Sequence, residues 1–434
     1  MYAAQQTVMC GKSRHGGKLM EEPGSGFGHG RSMTVQPRWY LFWATLSQTG
    51  MTFVQQGIIV MGFFLARRYA LNFRQIGFIT SAMSLGLMAS MVFMGILADK
   101  WGPKRLLSRS TWVMALLAYG LSMVKGYDML LVVFLLLGAS LSAVPMSGSK
   151  AIFSAFQGRD RGMSMGIRQT GVPLGAALAA ILLPFIVTRT GLAPVYWVFT
   201  AELLLTGILF SRVIPTVADS SLPPPVHRSS VRALRWPAAV SFLMVAGQYF
   251  LVTFTLEYLH DYRHFGLGQS AIALALAQLG GGLGRILFGR LSDRLQLSRP
   301  RVIGGIGLFA CVMIAMIVLL PSYTPFVWIA AIWFLIGMGT IGWNALSLTW
   351  AAESVLPQQA GFAMGFVGTI IYLGSAIFPP VLGTVIDQTK HFTLAWLALA
   401  AILLIASALA HYASRSVTAR ERAIRTTPNS RGCS

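Results

Sequence analysis

The sequence predicts an all-α membrane protein with twelve transmembrane helices in two pseudo-symmetric six-helix bundles. Three observations predict it. Apolar runs of bilayer-crossing length, roughly 20 residues each, recur along the 434 residues. Only 11% of the residues are charged and 55% are hydrophobic, whereas a soluble chain carries about a quarter charged residues, so lipid must cover most of the surface. Short patterns also recur between the first and second halves of the chain at a nearly constant offset.

The predicted spans are 38–66, 75–98, 104–124, 128–152, 161–187 and 193–213, then 236–259, 269–292, 301–320, 325–350, 359–386 and 392–413. The chain therefore divides into an N-terminal bundle at 37–213 and a C-terminal bundle at 236–413. A polar linker at 214–235 holds Pro223, Pro224 and Pro225, residues that punctuate structure. Residues 1–36 are glycine-rich and polar, lack the apolar core of a signal peptide, and read as a disordered tail in which Met33 is an alternative start. Residues 414–434 read as a basic tail. Cys10, Cys311 and Cys433 are too scattered for a metal site or a disulfide framework. No metal or other cofactor is expected.

The net charge of +21 would suggest nucleic acid in a soluble chain. Its distribution says otherwise. With both tails placed inside, the cytoplasmic segments hold 24 of the 34 Lys and Arg and the outer loops seven, the bias that sets topology. The reading is a multi-pass inner-membrane protein with cytoplasmic termini. Its partners are the bilayer and a small-molecule substrate, with no nucleic acid, and a monomer is expected. Arg67, Arg68 and Arg74 break the pattern by falling in the first outer loop.

Repeats fix the architecture. Gly95-Ile-Leu97-Ala-Asp99-Lys100 after the second span returns as Gly289-Arg-Leu291-Ser-Asp293-Arg294 after the eighth, an offset of 194. Gly162, Met165, Gly166 and Gly175 return as Gly361, Met364, Gly365 and Gly374, an offset of 199, and Arg38-Trp39 as Arg235-Trp236, an offset of 197. The longer run Gly95-Ile-Leu97-Ala-Asp99-Lys100-Trp-Gly102-Pro-Lys104-Arg105 resembles the signature loop of the major facilitator superfamily, over a likeness spanning residues 37–413. The resemblance implies two bundles around a central cavity that opens alternately to each side, with the site near the bilayer midplane. Glycine allows a tight turn, and an acid at a helix end can pair with Arg or with a helix N-terminus. Gly95, Asp99, Gly102, Lys104, Arg105, Gly289, Asp293 and Arg294 are accordingly expected to build a cytoplasmic gate, its charges latching the bundles.

Three basic residues lie within spans, where ionisable groups are costly and face a cavity or a partner. Arg285 lies eight residues before Asp293, about 12 Å inward along its helix, with Gln278 seven residues before it on the same face. Arg168 is six residues past Gly162, about 9 Å deep. Lys150, near the inner end of the fourth span, can snorkel to the interface. Acids at the same depth are few. Glu202 falls in the sixth span, a support helix in the resembled fold, and Glu353, near the inner end of the tenth, is expected to meet a loop Arg. An unmatched buried arginine points to a ligand that brings the negative charge, and guanidinium suits carboxylates. The substrate-binding candidates are Arg285, Arg168, Gln278, Gln48, Gln55, Gln248, Asn344 and Tyr372. Thr52 shares a face with Gln48 and Gln55, and Thr255 with Gln248. Glu257 and His260 are candidates for coupling.

Small residues four apart let helices approach closely in lipid. Gly162 with Gly166 and Gly171 with Gly175 form such seams in the fifth span, as Gly280 with Gly284 does in the eighth. In the resembled fold these two helices meet across the halves, which makes the seams candidate sliding surfaces, with static packing as the plainer reading.

The implied function is secondary transport of a small organic anion, a carboxylate above all, and the pattern is similar to the oxalate:formate antiporter in its eighth-helix Arg. It departs from that carrier in having no basic residue in the eleventh span. The alternative is proton-coupled drug efflux. Against it, Phe134 stands where drug antiporters carry an Arg four residues before Gly138, and the fifth span reads Gly171-Val-Pro173-Leu-Gly175-Ala176. Enzymes need clustered catalytic groups. The seven histidines are scattered, and no enzyme is expected.

Overall fold

The computed structural model describes residues 37–155, 164, 167–214, 228–321, 323–356 and 359–426. The first three spans are Pro37–Tyr69, Phe73–Trp101 and Pro103–Gly120. The fourth runs through Tyr127–Leu141 and Ala143–Ala155, bent at Ser142. The fifth is Gly171–Thr190, preceded by helical Ile167–Gln169, and the sixth Leu192–Val213. The seventh is Arg235–Leu256, continued by a π-helical turn Glu257–Tyr262; the eighth is Leu267–Arg294 and the ninth Arg299–Leu319. The tenth is split into Phe326–Ile341 and Asn344–Glu353, the eleventh is Ala360–Thr389, and the twelfth runs Phe392–Thr426.

Eleven of these helices are long and apolar enough to cross a membrane. The remaining one, the third span Pro103–Gly120, carries Lys104, Arg105 and Arg109 in its first two turns, which dilutes an otherwise apolar stretch. It nevertheless packs its buried face against the sixth span, where Gly207 meets Thr111. The signature glycine Gly102 joins the second and third spans at φ +78°, a conformation that only glycine adopts without strain.

Apolar side chains form two large cores. One is drawn from residues 40–214 and the other almost wholly from residues 234–413. The segment expected as a polar linker is not uniformly irregular: Arg228–Ala233 is a short helix, and Ser230 donates to Gln359 Oε1 at 2.7 Å. The final helix continues to Thr426, past the expected end at 413, because the basic residues beyond it are good helix formers. Gly162, Met165 and Gly166 lie outside the described residues.

Glycine decides where helices touch, though not between the helices expected. A methyl on Gly175 would lie 2.2 Å from the Thr49 carbonyl, and one on Gly171 2.7 Å from the Thr45 carbonyl. That seam therefore packs on the first span. The eighth-span seam meets the tenth, where Gly280 faces the Phe334 carbonyl and Gly284 the Gly342 backbone. Neither pair is a sliding surface between the fifth and eighth helices. Those helices meet instead at Pro173 and Gly282 and through Ala177, Ala180, Leu274 and Ala275.

Candidate functional site

The first span carries the polar stripe that ties the interior together. Gln48 and Gln55 are two turns apart, about 10 Å along the axis, and both are buried. Thr52 between them donates to the Gln48 carbonyl at 2.9 Å.

At one end of the stripe, Gln48 Oε1 accepts from Arg168 Nη2 at 2.6 Å. The same guanidinium donates to the Val144 carbonyl at 3.3 Å and to Ser149 Oγ at 3.4 Å. It lies against Gly148, where a side chain would displace it. Arg168 is 1% exposed. Among the described residues it is enclosed by the first, fourth and fifth spans.

At the other end, Gln55 Nε2 donates to the Tyr249 hydroxyl at 3.5 Å. Beside that hydroxyl stand Tyr372, Ser375 and Gln56, and the Arg285 guanidinium is within its electrostatic reach. Gln55 also reaches Tyr372. The first, seventh, eighth and eleventh spans thus place one arginine, two tyrosines and two glutamines together. Arg285 is half-buried, and its Nε has no hydrogen-bond partner among the described residues. Neither Arg168 nor Arg285 forms an ion pair among those residues. A partly buried guanidinium without a carboxylate has donors left for an acceptor such as an anion.

Sequence reasoning found Arg285, Gln55 and Tyr372 for this cluster and missed Tyr249, Gln56 and Ser375. Tyr249 follows Gln248, and helical phase is the signal that separates them. The face holding Thr255 turns into the C-terminal core, where Thr255 Oγ1 accepts from Trp333 Nε1 at 3.2 Å. Gln248, one turn pair earlier on that face, is buried with its Oε1 unpartnered among the described residues. Gln278 is buried on the eighth span, and Asn344 is half-buried at the break of the tenth, after Trp343, whose Nε1 donates to the Thr340 carbonyl.

Among the described residues, the signature-loop charges form no ion pair between the bundles. Asp293 accepts from Arg299 at 2.6 Å, and Arg299 also grips Glu353 at 3.1 Å. This joins the eighth, ninth and tenth spans of one half, and supplies the arginine expected for Glu353. Lys104, Arg105 and Arg294 make no ion pair among the described residues, and the side chains of Asp99 and Lys150 lie outside them. Nothing lies within 4 Å of a methyl added to Gly289, Gly361 or Gly365, and only Met146 Sδ reaches that limit at Gly95. Among the described residues, the halves make no close contact at these glycines.

On the opposite face they are joined. Methyl groups on Gly77 and Gly383 would each lie 2.4 Å from backbone, at Pro380 and Phe73 respectively. Ser81 donates to the Ala376 carbonyl, and Thr80 hydrogen-bonds Thr253 at 3.0 Å. Asp387, at the end of the eleventh span, accepts from the backbone amides of Phe73 and Arg74, each at 2.9 Å, and so caps the second span. Arg67 pairs with Asp261 at 2.5 Å. Glu257 and His260 sit at this face: Glu257 is buried, and His260 Nδ1 donates to the Phe265 carbonyl at 2.8 Å.

The chain is 26% identical over 385 residues to an uncharacterised MFS-type transporter of Mycobacterium tuberculosis, covering 83% of this chain and 82% of the relative. It is 29% identical over 260 residues to the 3-(3-hydroxy-phenyl)propionate transporter of Escherichia coli, covering 57% and 62%. It is 21% identical over 380 residues to the hexuronate transporter of Bacillus subtilis, covering 82% and 87%. A solved bacterial homologue of the lysosomal transporter Spinster, in an inward-facing and unoccupied conformation, superposes with a TM-score of 0.71 at 15% identity, covering 88% of this chain and 98% of its own. With two apolar cores, a glycine turn at Gly102 and a match of the Major Facilitator Superfamily to residues 41–379, this chain belongs to that superfamily of membrane transporters.

Proposed function

We propose that the protein is a secondary active transporter of a small organic anion, its carboxylate received by Arg285. The halves 37–213 and 236–413, joined by 214–235, rock about that site in the inner membrane, with both termini cytoplasmic and the monomer as the working unit. The carrying observation is the Arg285 guanidinium, without an ion pair among the described residues, beside Tyr249, Gln55 and Tyr372. A bound carboxylate supplies the missing charge, the tyrosine hydroxyls and Gln55 orient it, and rocking exposes it to either side. Relatives named for a propionate and a hexuronate support a carboxylate. The enclosed Arg168 acts by holding Gln48 at the far end of the stripe.

A second reading, proton-coupled export of lipophilic cations, draws on Glu202. Its carboxylate is buried with both oxygens unpartnered among the described residues, pressed against Gly50. Thermal unfolding in detergent against carboxylates, neutral sugars and lipophilic cations separates the two. A ligand at 100 times its dissociation constant stabilises by about 2.7 kcal/mol. Carboxylates are expected to stabilise the parent and to lose that effect in Arg285→Ala. Stabilisation by lipophilic cations alone would transfer the function to export.

A further inference from the structure

Of the three arginines that break the membrane charge pattern, Arg67 finds a partner across the joined face. Arg67 of the first span reaches across to Asp261 of the seventh, with its guanidinium 3.6 Å above the Phe63 ring. One turn below Asp261, and in the same π-helical turn, is Glu257. It is 2% exposed, and neither carboxylate oxygen has a partner in another residue among those described. Arg67 and Asp261 are the charges within its electrostatic reach. The eighth span meets this end of the seventh with Leu267, Ala271, Leu274 and Ala275, none ionisable, and the tenth and twelfth spans meet Tyr258 of the turn with Trp333, Phe392 and Trp396. His260 is already committed, its ring against Phe63 and its Nδ1 on Phe265.

We propose that Glu257 is the proton-binding site that controls closure of this face, with Arg67 as its moving partner. The idea deepens the transporter reading and names its coupling ligand as the proton. A carboxylate sealed between apolar helices without a partner is costly when charged. Taking a proton from water forms one O–H bond, removes that charge, and leaves Arg67 to bond Asp261, which draws the first and seventh spans together as seen here. Loss of the proton to water restores the carboxylate. Arg67 then has a second, deeper anion one turn away, water follows the charge, and the halves part. A π-turn suits such a site, because the extra residue per turn leaves backbone groups poorly bonded and the helix locally deformable.

The sign is fixed: acid closes this face and alkali opens it. The test needs no substrate, so it stands apart from the anion assay. Spin labels are placed at Arg68→Cys and Gly268→Cys, in a background lacking Cys10, Cys311 and Cys433, in the full chain in lipid nanodiscs. Both positions are exposed, and a methyl at Gly268 would meet no atom within 4 Å. The interlabel distance is recorded from acid to alkaline pH. The long-distance population should grow relative to the short by about tenfold per pH unit through the transition, the slope of a single proton. Glu257→Gln should stay short throughout, and His260→Asn should follow the parent. A pH-independent distribution in the parent overturns the proposal, as does a Glu257→Gln protein that still opens. Loss of the response in His260→Asn would assign the proton to the histidine and overturn it equally.

Discussion

At the scale of single residues, glycines here are receptors for charged groups. A methyl on Gly50 would lie 1.6 Å from Glu202 Oε1, and one on Gly148 2.6 Å from Arg168 Nη2. Each absent side chain makes room for an ionisable group inside a helix bundle. Gly50→Ala should destabilise by about 1–3 kcal/mol through overpacking. Adding Glu202→Ala should recover most of that loss, because the colliding atoms are then gone. Thermal unfolding of the two single variants and the double variant gives the coupling, and additive effects would show that Gly50 matters for another reason.

At the scale of elements, the repeat conceals two different kinds of glycine. Gly175 and Gly374 occupy corresponding positions, and both are packed, against Thr49 and against Phe242 and Val245. Gly361 and Gly365, which the repeat relates to Gly162 and Gly166, have open space around them. Gly175→Ala must push the first span off the fifth and should lower thermal stability by about 1–3 kcal/mol. Gly365→Ala should be neutral or slightly stabilising, since alanine is the better helix former by about 1 kcal/mol. Equal losses at the two positions would mean that the open space closes in another state of the carrier.

At the scale of the whole molecule, the face holding Asp387 and Arg67 is clasped by groups from both halves. The Arg67–Asp261 pair is nearly half exposed, and an exposed pair contributes at most about 1 kcal/mol. The Asp387 carboxylate, with two amide hydrogen bonds at the N-terminus of the second span, is the stronger link, because charge-assisted bonds at a helix start add the dipole to the bond. Asp387→Ala should therefore raise the labelling rate of a cysteine at Thr80, a fully buried position behind the clasp, from the clasped side of proteoliposomes. Asp387→Asn, which keeps an acceptor but not the charge, should fall between. Unchanged labelling would place the closing energy in the apolar contacts of Val60, Phe63, Ala177 and Leu274.

Span positions were legible because crossing a bilayer demands apolar runs of fixed length, and the superfamily was legible because its signature loop is local. The place of Arg285 along its helix was legible too, as helical rise converts sequence distance into position. The bends at Ser142 and Gly342, the π-turn at Glu257 and the helix at Arg228–Ala233 were not. Nor was the neighbour of any helix face: the Gly171–Gly175 seam was assigned to the eighth span and packs on the first, and Gln248 was chosen where Tyr249 meets Gln55. Composition and periodicity report how each helix partitions between lipid, protein and water. Which helix a face meets depends on rotation and crossing angle, set by close packing among several spans at once. Arg67 shows the division most plainly, since its charge runs against the charge pattern read from the sequence, and only the fold brings Asp261, 194 residues away, within 2.5 Å.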